Sequence, residues 1–255
     1  MNKLTHIATA ASLLLGLGLT GTVQASPYFE IAGGGAETQN YTGTSIIPNG
    51  ANGYDNLPLG GTGGLPMSLV LRDTDALATG ARTIRLDYIG SDATFTNLFT
   101  AGSTVKWCNQ PTGCGAGFTS PTNTNSWASP YSATSYITAL IGSVVPFTFV
   151  SDLLGSGAAG SHTLANGSAG LGEDMAHLFY ASMSGGNLQN GFYSTSNPRT
   201  GTIMALGLTD GSVLGVGDDD HQDLMIRVSL VPEPGSLALL GLGLLAMTGL
   251  RRRQT

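Results

Sequence analysis

Charge is scarce in this sequence: only 10% of its 255 residues are Asp, Glu, Lys or Arg. Between residues 26 and 231 the cations are Arg72, Arg82, Arg85, Lys106, Arg199 and Arg227, set against fifteen carboxylates. Nucleic acid is thereby excluded as a partner, because phosphate binding needs clustered Lys and Arg. Cysteine is limited to Cys108 and Cys114, a spacing that is neither a Cys-x-x-Cys redox pair nor half of a thiolate zinc cluster. The four histidines, His6, His162, His177 and His221, are scattered singly. There is no Gly-x-Ser-x-Gly, His-Glu-x-x-His or P-loop pattern, so the expectation is a protein that is not an enzyme. His177 falls in an apolar segment as a packed or solvent-facing residue, and His162, between Ser161 and Thr163 in a Gly-rich stretch, reads as a loop residue. Sustained helical periodicity is missing too, and long apolar runs occur only at the two ends.

At the C-terminal end, Val231-Pro232-Glu233-Pro234-Gly235-Ser236 precedes the apolar run Leu237 to Leu250, followed by Arg251-Arg252-Arg253. Two prolines in three positions stop a strand or helix and separate what folds before them from what inserts after them. Fourteen residues make a helix of about 21 Å at 1.5 Å per residue, short of the ~30 Å hydrocarbon core. The three arginines, snorkelling to cytoplasmic headgroups, would help it span.

This arrangement resembles the PEP-CTERM sorting signal of exported Gram-negative proteins, with Pro232, Glu233 and Pro234 matching its tripeptide. The resemblance implies recognition by an exosortase, a membrane protease-transferase, and transient anchoring before passage to the cell surface or exterior. Read without it, the segment is a plain single-span anchor. The other end agrees with export: Lys3 and His6 precede the apolar stretch Ile7 to Val23, and Val23-Gln24-Ala25 is a signal-peptidase site, with cleavage expected after Ala25. The formal dinucleotide fingerprint Gly16 to Gly21 sits inside this segment, with no strand before it, and carries no cofactor.

The expected organisation is a signal peptide (1–25), a Gly/Asn-rich irregular leader with one strand near Tyr28 to Ala32 (26–66), a β domain (67–230) and the sorting segment (231–255). Glycine, 38 residues, is about twice as common as usual and costs ~1 kcal/mol against Ala inside a helix. The body is therefore expected to be all-β: an antiparallel β-sandwich of jelly-roll type, flanked by a signal helix and a transmembrane helix. Candidate strands are Leu69–Arg72, Arg82–Ile89, Thr94–Phe99, Val105–Cys108, Tyr136–Ile141, Phe147–Val150, Ala176–Ala181, Gly191–Ser194, Thr202–Leu208 and Leu224–Leu230. Period-two alternation puts Ile84, Leu86 and Tyr88 towards a core and Thr83, Arg85 and Asp87 towards water. It likewise sets Leu224, Ile226, Val228 and Leu230 inward and Met225, Arg227 and Ser229 outward. Cys108 and Cys114 bracket a turn-rich segment in a chain bound for an oxidising compartment, which predicts a local disulfide.

Carboxylates concentrate where charge is otherwise thin: Asp218, Asp219, Asp220 and Asp223 fall within six residues, with Asp210 upstream. Like charges this close repel by ~1 kcal/mol per pair near 4 Å even in water. They either point apart into solvent or share a cation. Oxygen ligands at short intervals among glycines suit Ca²⁺, with Asp210, Asp218, Asp220 and Asp223 as the ligand candidates. The alternative is a solvated acidic turn. The stretch Met204 to Asp210 followed by Gly217 to Ile226 is similar to DUF4114-type surface domains, with Leu208-Thr209-Asp210 where that family has Phe-Glu-Asp and His221-Gln222 in place of Tyr-Asn. Ile89 to Phe99 resembles the Gly-Ser-x-Ala-x-Tyr-x-Asn segment of the same domains. Trp107, Trp127, Tyr131 and Tyr136 read as core residues, or else as a sugar-stacking platform. The functional expectation is an exported, non-enzymatic surface or matrix protein associated with exopolysaccharide. The alternative is a secreted hydrolase or carbohydrate-binding protein whose site assembles from distant residues.

Overall fold

The computed structural model describes residues 26–33, 67–91, 93, 95–124, 129–152, 154, 160–168, 177–184, 187–188, 199–210 and 223–232. These form thirteen strands: β1 (Pro27–Gly33), β2 (Met67–Asp73), β3 (Ala81–Gly90), β4 (Leu98–Ala101), β5 (Val105–Cys108), β6 (Thr134–Leu140), β7 (Phe147–Ser151), β8 (His162–Ala165), β9 (His177–Ser184), β10 (Asn187–Leu188), β11 (Thr200–Gly201), β12 (Ile203–Thr209) and β13 (Leu224–Leu230). The described residues contain no helix, and hence none long and apolar enough to cross a membrane. The expected signal helix with its Ala25 cleavage site, and the apolar run 237–250 with Arg251, Arg252 and Arg253, lie outside the described residues, as do Trp127 and the candidate strand Gly191–Ser194.

Every strand pairing is antiparallel, in three sheets ordered β11-β1-β2, β10-β9-β12-β13-β3-β6 and β5-β4-β7-β8. Alternation along each strand supplies the shared core: Phe29 and Ile31 from β1, Ile84 and Leu86 from β3, Phe147 and Phe149 from β7, and Ile226 and Val228 from β13 are all buried in one cluster. Each such side chain contributes roughly 1.5–3 kcal/mol by leaving water. An aromatic series crosses this core, from Trp107 stacked on Phe99 (5.7 Å between centroids) through Phe149 and Phe147 to Tyr180 of the six-stranded sheet. Trp107 is thus a core residue, whereas Tyr136 is exposed.

One carboxamide links all three sheets. Asn166, just past β8, accepts from the Leu69 N–H of β2 at 2.8 Å and the Tyr180 hydroxyl of β9 at 3.0 Å, and donates to the carbonyls of Leu69 and Val145. Beside it, the connection 142–145 lies along the free edge of β2, with Leu71 N–H donating to the Ser143 carbonyl and Val145 N–H to that of Leu69.

β1 supplies the strand expected near Tyr28 to Ala32, and it pairs with β2 over its full length. Several features differ from the sequence expectation. β4 begins only at Leu98, because residues 95–97 turn their polar groups towards neighbouring loops. His162 opens β8 and is not a loop residue; it pairs with Ser151 across the edge of β7. The outer face of the six-stranded sheet is covered where water was expected: Asp87, Met225 and Ser229 are all buried. Beside Asp87 the cover comes from Thr134, which bonds to it, and from Tyr131, which lies against Arg85 and Arg227, while Tyr136 on the same face stays exposed.

Candidate functional site

Six strand ends converge at one end of the two larger sheets. Ser91 follows β3, Asn97 precedes β4, Asn109 follows β5, Asp152 follows β7, Asp210 follows β12 and Asp223 precedes β13. Each is polar because a strand end must satisfy backbone groups that the ladder no longer reaches. Asn97 is the hub. Its Nδ2 donates to Asp210 Oδ2 at 2.8 Å and to the Asp223 carbonyl at 3.5 Å, and its Oδ1 accepts from Asp152 N–H at 2.9 Å. Asn97 N–H in turn donates to Asn109 Oδ1, and Asn109 Nδ2 donates to Ser91 Oγ and the Phe95 carbonyl. Ser91 Oγ closes the circuit by donating to the Asp223 carbonyl at 2.6 Å.

Asp210 and Asp223 sit side by side: Asp210 N–H donates to Asp223 Oδ2 at 2.6 Å, and Asp223 N–H to the Leu208 carbonyl at 3.1 Å. Both are 7% exposed, and Asp152 is 2% exposed with its backbone at φ +42°. This is the left-handed region, which Asp tolerates better than most residues, and the Asn97 bond holds it there. Asp210 and Asp223 thus flank residues 211–222 in sequence and place buried oxygens side by side. Asp218 and Asp220 lie outside the described residues, and among the described residues no three His, Cys, Asp or Glu side chains form a group able to hold a metal.

Cys108 and Cys114 are joined by a disulfide and pack with Leu98, Phe118 and Val150 beside this cluster. Within its loop Gly113 takes φ +96°, a backbone conformation that favours glycine. Sequence reasoning singled out Asp210 and Asp223 but missed Asn97, Asn109 and Asp152. The available signal was the segment Gly90-Ser91 to Asn97, whose Ser and Asn both reach the Asp223 carbonyl.

A second polar arrangement occupies the outer face of the six-stranded sheet. Asp87, fully buried, accepts from Arg85 Nε at 2.8 Å, Arg227 Nη1 at 2.8 Å and the Thr134 hydroxyl at 2.6 Å. Arg227 Nη1 also donates to Ser229 Oγ. Both guanidiniums lie over the Tyr131 ring, 5.6 and 5.7 Å from its centroid, the range of cation–π attraction. The Asp87 bond is the main cause that raises the Arg85 pKa, while burial pushes the Tyr131 hydroxyl up. A groove of about 320 Å³ on the four-stranded sheet, lined by Thr100, Gly102, Val144 to Thr148, Ala165 and Asn166, carries no titratable side chain.

At the other end of the chain, Val231 N–H donates to the Thr83 carbonyl at 3.1 Å and Pro232 is exposed. The body therefore ends at β13, and the first proline of the tripeptide leaves it at the surface. Residues 230–253 match the PEP-CTERM protein-sorting motif. The motif marks a protein that an exosortase sorts to the cell surface, through a C-terminal membrane-associated signal in a Gram-negative cell. No curated protein and no solved structure matches the chain.

Proposed function

We propose that this is a non-enzymatic surface or matrix protein whose body is an antiparallel β-sandwich of jelly-roll type. It is delivered by its C-terminal sorting segment and associates outside the cell with exopolysaccharide. The observation that carries the reading is the junction at Leu230, the last residue of β13 and the first of the sorting motif. Folded body and sorting label abut without an intervening domain, so cleavage near the tripeptide would release the β body whole. Two larger sheets sharing one core support the sandwich reading.

In this reading calcium binds within residues 210–223 and stiffens the pairing of β12 with β13. Asp210 and Asp223 would supply two buried carboxylates and Asp218 and Asp220 the remaining side-chain oxygens, as a hard cation of six to eight oxygen ligands requires. The circuit from Ser91 and Asn97 to Asp223 also supports the kinship with DUF4114-type surface domains, whose two characteristic segments would meet here.

Glu233→Ala in the producing cell tests the sorting step. The expected result is an unprocessed form retained in the inner membrane, detected by fractionation and blotting. Normal processing and release of that variant would overturn the reading.

A further inference from the structure

On the outer face of the six-stranded sheet two guanidiniums share one carboxylate. Arg85 uses only Nε on Asp87, and its two terminal nitrogens have no acceptor among the described residues. Arg227 adds a second charge and Asp87 removes one, so a net positive centre stands on a body with six cations against fifteen carboxylates. The surplus is fixed in place: Asp87 pairs with both side chains, and both guanidiniums lie over the Tyr131 ring. A preorganised guanidinium fork of this kind is suited to a planar carboxylate, which it meets with two parallel hydrogen bonds.

The surroundings narrow the ligand further. Tyr136 lies directly opposite Arg85 in the β3–β6 register and is 54% exposed, and Thr83 lies opposite Thr138 on the same face. An exposed aromatic ring takes the C–H face of a sugar, and hydroxyl-bearing neighbours meet its hydroxyls. A phosphate or sulfate group would use the guanidinium alone and leave the tyrosine idle.

We propose that this face, centred on Arg85, Arg227 and Tyr136, binds the carboxylate and ring of an acidic sugar in a uronate-bearing polysaccharide. The inference rests on the polysaccharide part of the function proposed above and names the site and sugar class for it.

Binding of the full-length chain, held in neutral detergent, to polygalacturonate, dextran sulfate and uncharged dextran at ~0.15 M salt tests it, since surface charge alone is largely screened there. The wild type is expected to bind polygalacturonate and not dextran. Arg85→Gln is expected to weaken that binding about tenfold, the cost of one charge-assisted contact, and Tyr136→Ala to weaken it several-fold. Thermal melting checks that both variants fold; if Arg85→Gln does not, Tyr136→Ala decides the matter, because its side chain projects into solvent. Polygalacturonate binding indifferent to both changes would overturn the site and leave polysaccharide association standing. Equally tight binding of dextran sulfate, untouched by Tyr136→Ala, would show charge attraction without sugar recognition and likewise overturn it. Failure of every polymer to bind would remove the association itself.

Discussion

Asn97 Nδ2 holds Asp210 Oδ2 at 2.8 Å across 113 residues of chain, joining the start of β4 in the four-stranded sheet to the end of β12 in the six-stranded one. Asn97→Ala would remove an acceptor from the Asp152 N–H and a donor from Asp210 Oδ2, both residues buried. Leaving buried polar groups unpaired costs about 1–3 kcal/mol each, so a loss of about 2–4 kcal/mol is expected by urea unfolding. A loss below about 0.5 kcal/mol, the level of an ordinary surface change, would show that the circuit is not structural.

Asp87→Ala should be more costly than any other single change on the outer face. It leaves Arg227, whose side chain is 14% exposed, without its carboxylate, while Arg85 retains solvent. Breaking a buried pair by removing one partner costs about 3–5 kcal/mol, and the partial exposure of Arg85 places the expected loss at the lower end. Because the pair is shielded, melting temperature measured with rising salt should fall little in the wild type. A steep salt dependence would mean the pair is solvated.

Alkaline pH should destabilise the fold through two tyrosines. Burial pushes the Tyr88 and Tyr180 hydroxyls above their ordinary pKa of 10.0. The fold holds them neutral while the unfolded chain ionises them at 10.0, so the stability they confer is complete below that pH and is lost as pH rises towards their folded values. Melting temperature should therefore be level near pH 8 and drop above about pH 10. Tyr88→Phe, which loses only a 3.3 Å bond to Asn123, should make the drop shallower. An unchanged slope in that variant would contradict the assignment.

Calcium should raise the melting temperature of the wild-type chain and EGTA lower it again, since a ligand at a hundred times its Kd stabilises by about 2.7 kcal/mol. Asp220→Ala and Asp223→Ala should each remove the response. A melting temperature that ignores both calcium and EGTA would refute the metal reading.

Strands with clean alternation were legible from sequence, β5 and β13 to the residue, because period two registers directly in side-chain chemistry. The short pieces β10 and β11 were not, since two residues carry no period. Asp87 was misjudged for a different reason: alternation shows that a residue points away from the core but says nothing of what covers the far face, and Tyr131 with Thr134 arrives from forty-odd positions downstream. Likewise Asp210 and Asp223 stood out as an acidic pair around a loop, whereas Asn97 became visible only when β4 was set beside β12 and β13. A hydrogen-bond partner more than a hundred residues away has no local signature.

The segment after Leu230 is either a removable sorting label or a permanent part of the exported protein. Intact-mass spectrometry of the form recovered outside the producing cell measures this directly. A mass ending near Pro232–Gly235, lacking the apolar run Leu237 to Leu250 and Arg251 to Arg253, is the result predicted here; a mass that retains the run and the arginines would contradict it.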